Sequence, residues 1–285
     1  MPIRMVALWA VRAAVTCGSK DCMVQAILFD LGETLVNFGV GRAEAEGVFR
    51  QGARDTYNYL RTAGFELPDF QRYFKTHYRL MQRRYIWSKI SGRDFSYMEV
   101  VRDAGRKLGL KLDIVTQREL AWHWYGPVRR GATFEHGLHC LIERLALSGV
   151  KLGIVSNTLV PGFCFDRHLQ QLGLLQYFPV RVYSSDVRYR KPHARIFEIA
   201  AERIAVDPVF TVFVGDLIKT DIVGAKAMGM KTIWKTSATT RVVPTANARP
   251  DDMIYQLSQL PDVLPRFGWR SGLHVPVVEP VAAVA

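Results

Sequence analysis

An α/β fold, with a doubly wound and mostly parallel sheet interrupted by a helical insertion, is the architecture that this 285-residue sequence predicts. Three observations carry the prediction. Short apolar runs that end on polar residues alternate with stretches of helical period, the pattern of parallel crossover units. The longest gap between such runs, about residues 41–128, shows helix-like stretches and little sign of a buried strand. Polar signatures close several of the runs, at the carboxyl ends of strands where open α/β sheets bind ligands.

The first run, Val24 to Phe29, is short, apolar and followed by Asp30, which suits a strand buried on both faces. Residues 41–128 come next, rich in Arg, Tyr and Phe and punctuated by Gly64, Pro68, Gly92 and Gly109, and read as a helical cap. Within them Arg72, Lys75, Arg79 and Arg83 fall on one helical face, and Phe70, Phe74, His77 and Met81 on another. That is an amphipathic helix with a basic side that is solvated, or that steers anions toward a cleft. Leu138, Leu141, Ile142 and Leu145 repeat as one helical face that Gly149 closes, and "VKLGIVSN" is a second strand. Ile196, Phe197, Ala200 and Ile204 form a helical stripe ending before Pro208. "TVFVGD" is a third strand, Ile222, Ala225 and Met228 mark a helix, and "KTIW" is a fourth strand. The expected core is 24–40 with 129–267, flanked by an N-terminal extension over 1–23, taken to be disordered, and a tail over 268–285.

Composition narrows the function classes. At 49% hydrophobic residues the chain can fill a sizeable core, and its apolar runs are broken well before membrane-span length. Cys17, Cys22, Cys140 and Cys164 are too few and scattered for a disulfide framework or a zinc site, so reduced thiols and a cytoplasmic location are expected. A net charge of +12 favours anionic partners without choosing among them, and no nucleic-acid-binding module accompanies the basic residues. The opening "MPIRMVALWAVRAAVTCGSK" resembles a weak targeting segment, and Met23 directly before the first strand also allows an upstream extension. His136 and His139 lack a metal-binding pattern, and nothing speaks to oligomeric state.

Four signatures bear chemistry: Asp30, Ser156 with Asn157, Lys191 in "RYRKPHARIFE", and Asp216 with Asp221 in "VGDLIKTDIVGAKAMGM". Carboxylates, a hydroxyl and an ammonium converging at strand ends make a site for a divalent cation and a phosphoryl group. Mg²⁺ suits it, because it takes oxygen ligands and binds through one or two carboxylates while keeping water and substrate oxygens.

In their order and placement these motifs resemble those of the haloacid dehalogenase-like hydrolase superfamily, mostly Mg²⁺-dependent phosphatases with a substrate-covering cap between the first and second motifs. The resemblance covers Val24 to Val36 and about Thr133 to Leu264, where "RPDDMIYQLSQLPDVL" looks like the family's last edge strand and helix. It implies that Asp30 is a nucleophile that takes up the phosphoryl group of a small metabolite as an aspartyl phosphate. Thr34 would orient the loop or contact the phosphoryl group, Ser156 would donate to it, and Asn157 would shape the site. Lys191 would offset charge on both nucleophile and phosphoryl group. Asp30, Asp216 and the Gly32 carbonyl would hold Mg²⁺, and Asp221 would support the metal shell or hold Lys191.

Gly32 is a departure, because the family's usual motif has there a second aspartate that serves as general acid and base. Glycine keeps the carbonyl and loses the side chain. Such a group is commonly worth about 10²- to 10⁴-fold in rate, most of all for alkyl leaving groups, which need a proton. Glu33, one residue later, is the candidate substitute. Gly32 argues against a phosphomutase and leaves three alternatives: a catalytically weak protein that binds a phosphorylated ligand or a protein partner, a phosphonate hydrolase with Lys75 or Lys89 as its Schiff-base lysine, and a haloacid hydrolase.

Overall fold

The computed structural model describes residues 23–39, 41, 44–236 and 248–270. Residues 1–22 of the expected extension and the tail beyond Arg270 lie outside the described residues. Six strands form one all-parallel sheet: β1 (Ala26–Phe29), β2 (Lys151–Ser156), β3 (Val180–Tyr183), β4 (Thr211–Gly215), β5 (Lys231–Lys235) and β6 (Asp252–Ile254). Their order is β3-β2-β1-β4-β5-β6. The chain therefore builds outward from β1 in one direction and then returns to its other side with β4. Phe29 lies in register with Ile154 on one side and Val214 on the other.

Central position explains why β1 is apolar throughout. Ile27 and Phe29 enter the larger core layer, and Ala26 and Leu28 the opposite one with Phe213 and Val155. β1, β2, β4 and β5 fall where the apolar runs predict them, and β6 where the resemblance puts an edge strand. β3 is an addition. It is a four-residue edge strand, too short to show a period from sequence alone, and its Arg181 leaves the sheet to pair with Asp166 at 2.7 Å.

Between β1 and β2 the insertion forms four helices: α1 (Ala45–Thr62), α2 (Phe70–Ser91), α3 (Tyr97–Leu108) and α4 (Ile114–Arg130). Local signals set their ends. The Asp69 and Asp113 side chains accept from the Arg72 and Thr116 amides, and Ser96 with Glu99 makes a reciprocal capping box for α3. Gly92 and Gly109 end α2 and α3 at φ +66° and +73°, where a side chain would be strained. On α2, Phe74, His77 and Met81 are buried while Arg72, Lys75, Arg79 and Arg83 are exposed, so the two-faced helix read from sequence is present. The two links between insertion and core pair with each other, Asn37 and Thr133 exchanging backbone hydrogen bonds of 2.7 and 2.8 Å.

Among the described residues four further helices of five residues or more flank the sheet: α5 (Leu138–Leu147), α6 (Gly162–Gln171), α7 (Ala194–Ile204) and α8 (Val223–Ala227). The helix expected around Ile222 opens instead as a wide π-type turn over Ile218–Ile222, and α8 continues for only five residues. Among the described residues no helix is long and apolar enough to cross a membrane.

Burial of two histidines couples this packing to pH. His77 lies against Tyr73, to whose carbonyl its Nδ1 is hydrogen-bonded at 3.1 Å, and burial pushes it down to about 4. His168, bonded to the Tyr125 hydroxyl at 2.9 Å, is likewise pushed down to about 4 by burial and by the nearby Arg129 charge. Each stays neutral in the fold where the unfolded chain would take up a proton. Stability is therefore intact above the unfolded value of 6.5 and declines as pH falls toward 4. Urea unfolding should record a loss of about 2 kcal/mol per histidine between pH 7 and pH 5, and a shallower pH dependence in His77→Leu.

Candidate active site

The returning β4 makes a switch point beside β1, and the polar residues that follow the two strands meet in the crevice beyond it. Asp30 extends β1 by one residue, its amide donating to the Val214 carbonyl at 2.9 Å, and its buried carboxylate stands at the strand end. Asp216 follows β4, where the Trp234 indole N–H at the end of β5 donates 2.8 Å to its carbonyl. The Thr34 hydroxyl donates to the Asp216 carboxylate at 3.5 Å, joining the loop after β1 to the loop after β4.

Lys191 binds this cluster together. Its Nζ donates to Asp30 Oδ1 at 2.7 Å and pairs with Asp221 Oδ1 at 2.8 Å, with all three side chains nearly out of water. Asp221, expected either to support the metal shell or to hold Lys191, pairs with Lys191 and also keeps an oxygen within 4.8 Å of Asp30 and Asp216. Its other oxygen accepts from the Leu217 amide at 3.0 Å. The π-type turn is what aims Asp221 inward, over Gly215. A Cβ on Gly215 would lie 2.6 Å from the Asp221 Cβ and Oδ2, so only glycine fits there.

Asn157 acts on the backbone of Lys191. Its Oδ1 accepts from the Lys191 amide at 2.7 Å and its Nδ2 donates to the Lys191 carbonyl at 2.9 Å. Ser156 is buried at the end of β2. Glu33 sits differently from the rest. It is exposed, adopts φ +57°, and its Oε1 accepts from the Phe38 amide at 3.0 Å. Gly32 is open: a Cβ there would stand 3.6 Å from the Phe38 ring, an ordinary contact, at an unstrained φ. Lys75 and Lys89, the candidate Schiff-base lysines, are both exposed on α2, with Lys89 over the Tyr85 ring.

Charge balance tests whether the residues fit a metal. Oxygens of Asp30, Asp216 and Asp221 lie within 4.8 Å of one another, and the Lys191 ammonium bridges two of these three carboxylates, Asp30 and Asp221. Burial pushes Asp30 upward, against the pull of Lys191, and the Asp221 charge adds to the rise. Asp216 is pushed up to about 7 by burial and by the charges of Asp30 and Asp221. Burial alone would lower Lys191, but Asp221 and Asp30 outweigh it and hold the ammonium above its ordinary range. Fully ionised, the three carboxylates would exceed the charge of one ammonium, so Asp30 and Asp216 hold protons more readily than usual, and the donors are all oxygen. A hard divalent cation at Asp30 and Asp216 fits both facts.

A doubly wound sheet with a lysine-bridged carboxylate cluster at its switch point defines an α/β enzyme class in which the reacting group sits beyond the strand ends. The chain belongs to the haloacid dehalogenase-like hydrolase family, whose model matches residues 24–229. It is similar to the glyceraldehyde 3-phosphate phosphatase of Methanothermobacter thermautotrophicus, 27% identical over 250 residues that cover 85% of this chain and 100% of that one. Among solved structures, a haloacid dehalogenase-like phosphatase from Thermococcus onnurineus superposes with a TM-score of 0.56 at 24% identity, covering 87% of this chain and 99% of that one. A 2-haloacid dehalogenase from Pseudomonas syringae pv. tomato gives 0.57 at 24% identity, covering 86% and 100%. Phosphatase and dehalogenase thus share this fold, and the site has to distinguish them.

Sequence reasoning passed over several neighbours of the cluster. Trp234 ends the "KTIW" strand, so its place at a strand end was available as a signal. Lys235 donates to the Glu33 carbonyl at 2.9 Å, and Asp94 approaches from the insertion, and neither carries a motif. Gly215→Ala should drive Asp221 off Lys191 and cost roughly 1–3 kcal/mol of stability, as overpacked sites do, which urea unfolding measures.

Proposed function

We propose that the protein is a Mg²⁺-dependent phosphatase that hydrolyses a small phosphorylated metabolite through an aspartyl phosphate at Asp30. The observation that carries the reading is the surplus of buried negative charge at Asp30, Asp216 and Asp221 around the Lys191 ammonium. A haloacid hydrolase working through Asp30 and Lys191 has no use for Asp216. The phosphatase relatives support the same choice.

In this reading one Asp30 oxygen attacks phosphorus, and the bond from phosphorus to the leaving oxygen breaks with its electron pair on that oxygen. Lys191 neutralises charge on Asp30 and on the transferring group, while Ser156 and Thr34 donate to its oxygens. Asn157 and Asp221 keep Lys191 in place from its backbone and from its ammonium. Asp30, Asp216 and the Gly32 carbonyl would hold Mg²⁺, which would lower the repulsion between carboxylate and phosphate. Water then attacks phosphorus, the bond to Asp30 breaks, and the water proton passes to solvent.

Proton transfer is where this chain is weak. Gly32 offers no carboxylate, and Glu33 is committed to the Phe38 amide. The preferred substrates are therefore phosphates whose leaving group departs without a proton, such as aryl or acyl phosphates. Free thiols at exposed Cys140 and buried Cys164 suit a reducing compartment, and the cytoplasm is the proposed location.

Phosphate release from an aryl phosphate should require Mg²⁺, vanish with chelator and vanish in Asp30→Asn, with no halide released from 2-chloropropionate. Metal binding without turnover on any phosphate would instead favour a ligand-binding protein. Gly32→Asp should raise alkyl phosphate hydrolysis by about 10²-fold or more, since its Cβ fits and a positioned acid is worth about 10²- to 10⁴-fold. Glu33→Gln should leave both rates within about twofold of the parent, because a side chain that already bonds the backbone adds little to proton transfer.

A further inference from the structure

Asp94 lies outside the carboxylate cluster, in the turn between α2 and α3, yet its side chain is completely buried. Both its oxygens accept from Arg190 Nη1, at 3.0 and 2.9 Å. Oδ2 also accepts from Ser184 Oγ at 2.5 Å and Oδ1 from the Phe95 amide at 3.0 Å. The Asp94 amide donates to the Arg188 carbonyl at 2.9 Å, and the Arg188 guanidinium pairs with Glu99 of α3.

These partners lead to the chemistry by two routes. Arg190 directly precedes Lys191 in the chain. Ser184 Oγ, whose one proton goes to Asp94, accepts from the Thr158 amide at 2.8 Å, one residue beyond Asn157. One buried carboxylate of the insertion thus grips both core loops, that of Lys191 and that of Ser156 and Asn157. A buried carboxylate is tolerated only while its donors are in place, so neither loop can shift far without leaving it unpaired.

We propose that Asp94 is a positioning residue through which the helical insertion sets Lys191 against Asp30. The inference rests on the reading of Lys191 as the group that neutralises the transferring phosphoryl group. Lys191 is held on the core side by Asn157 and on the insertion side by Arg190 and Asp94. Displacement of the insertion is therefore transmitted to the lysine, and the site is complete only when the insertion is seated.

The test uses the full chain with Mg²⁺, an aryl phosphate as substrate and orthovanadate as oxyanion probe. In Asp94→Asn, kcat should fall about 10- to 100-fold while KM stays within about threefold, the split expected when an interaction made in the transition state is lost. Orthovanadate should bind about 10-fold more weakly by calorimetry. In a Lys191→Met background Asp94→Asn should weaken it no further, since residues acting as one unit are not additive. Amide exchange over residues 184–193 should accelerate in Asp94→Asn, a readout that needs no catalysis. Arg188→Gln, on the exposed side of the same loop, should show a smaller loss of the same kind. Additive effects of Asp94 and Lys191, or unchanged exchange over 184–193, would overturn the proposal. Should Asp94→Asn fail to fold, Asp94→Asn with Arg190→Gln removes both charges of the buried pair and carries the same expectations. A wild-type protein that releases no phosphate counts against the phosphatase reading alone, and the exchange measurement then decides this one.

Discussion

Everything at the strand ends depends on the Lys191 ammonium between Asp30 and Asp221. Carboxylates cannot gather out of water unless opposite charge accompanies them, because both desolvation and mutual repulsion oppose it. Lys191 supplies one such charge and reaches across from the far side of β2 to do so. Other features serve that bridge: glycine at 215, the wide turn that points Asp221 inward, and the double hydrogen bond from Asn157 to the Lys191 backbone. The charge that one ammonium leaves unbalanced among Asp30, Asp216 and Asp221 is what suits the crevice to a divalent cation.

The same site divides its chemistry unevenly. In the proposed reading the groups that capture a phosphoryl group gather at the ends of β1, β2 and β4, while the position expected to move a proton holds Gly32 beside the Phe38 ring. Glu33 carries the right functional group one residue too late. The tight turn after β1 puts it at positive φ, and its carboxylate caps the Phe38 amide instead. Electrostatic stabilisation is usually the larger contribution to phosphoryl transfer, so on the proposed reading the loss bears more on which leaving groups suit the site than on whether it acts.

Two of the contacts between insertion and core are unlike in kind. At Asn37 and Thr133 the two links of the insertion exchange backbone hydrogen bonds, a pairing indifferent to side chains. At Asp94 it reaches the core through a buried charge that depends on every partner. The first defines where the insertion joins, and the second ties its position to the loop of Lys191.

Much of this was legible in the residues. The apolar runs of β1, β2, β4 and β5 predicted themselves, because strands buried on both faces have no polar side to disguise them. Asp30 and Asp216 stood out because an acid directly following an apolar strand needs a partner there, and Ser156, Lys191 and Asp221 through their order in motifs that resemble the family's. Tertiary structure decided the rest. β3 has four residues and one buried neighbour strand, too little to leave a period. Whether Asp221 faced a metal or a lysine depended on a turn whose extra residue no propensity announces. Asp94 looked like any acid in a helix connection, since its burial is conferred by Arg190 and Ser184, about ninety residues further along the chain. Sequence by itself determined the strands and the chemistry available at their ends; only the folded chain decided which charges meet, because a buried ion pair is a property of two distant segments and is written in neither.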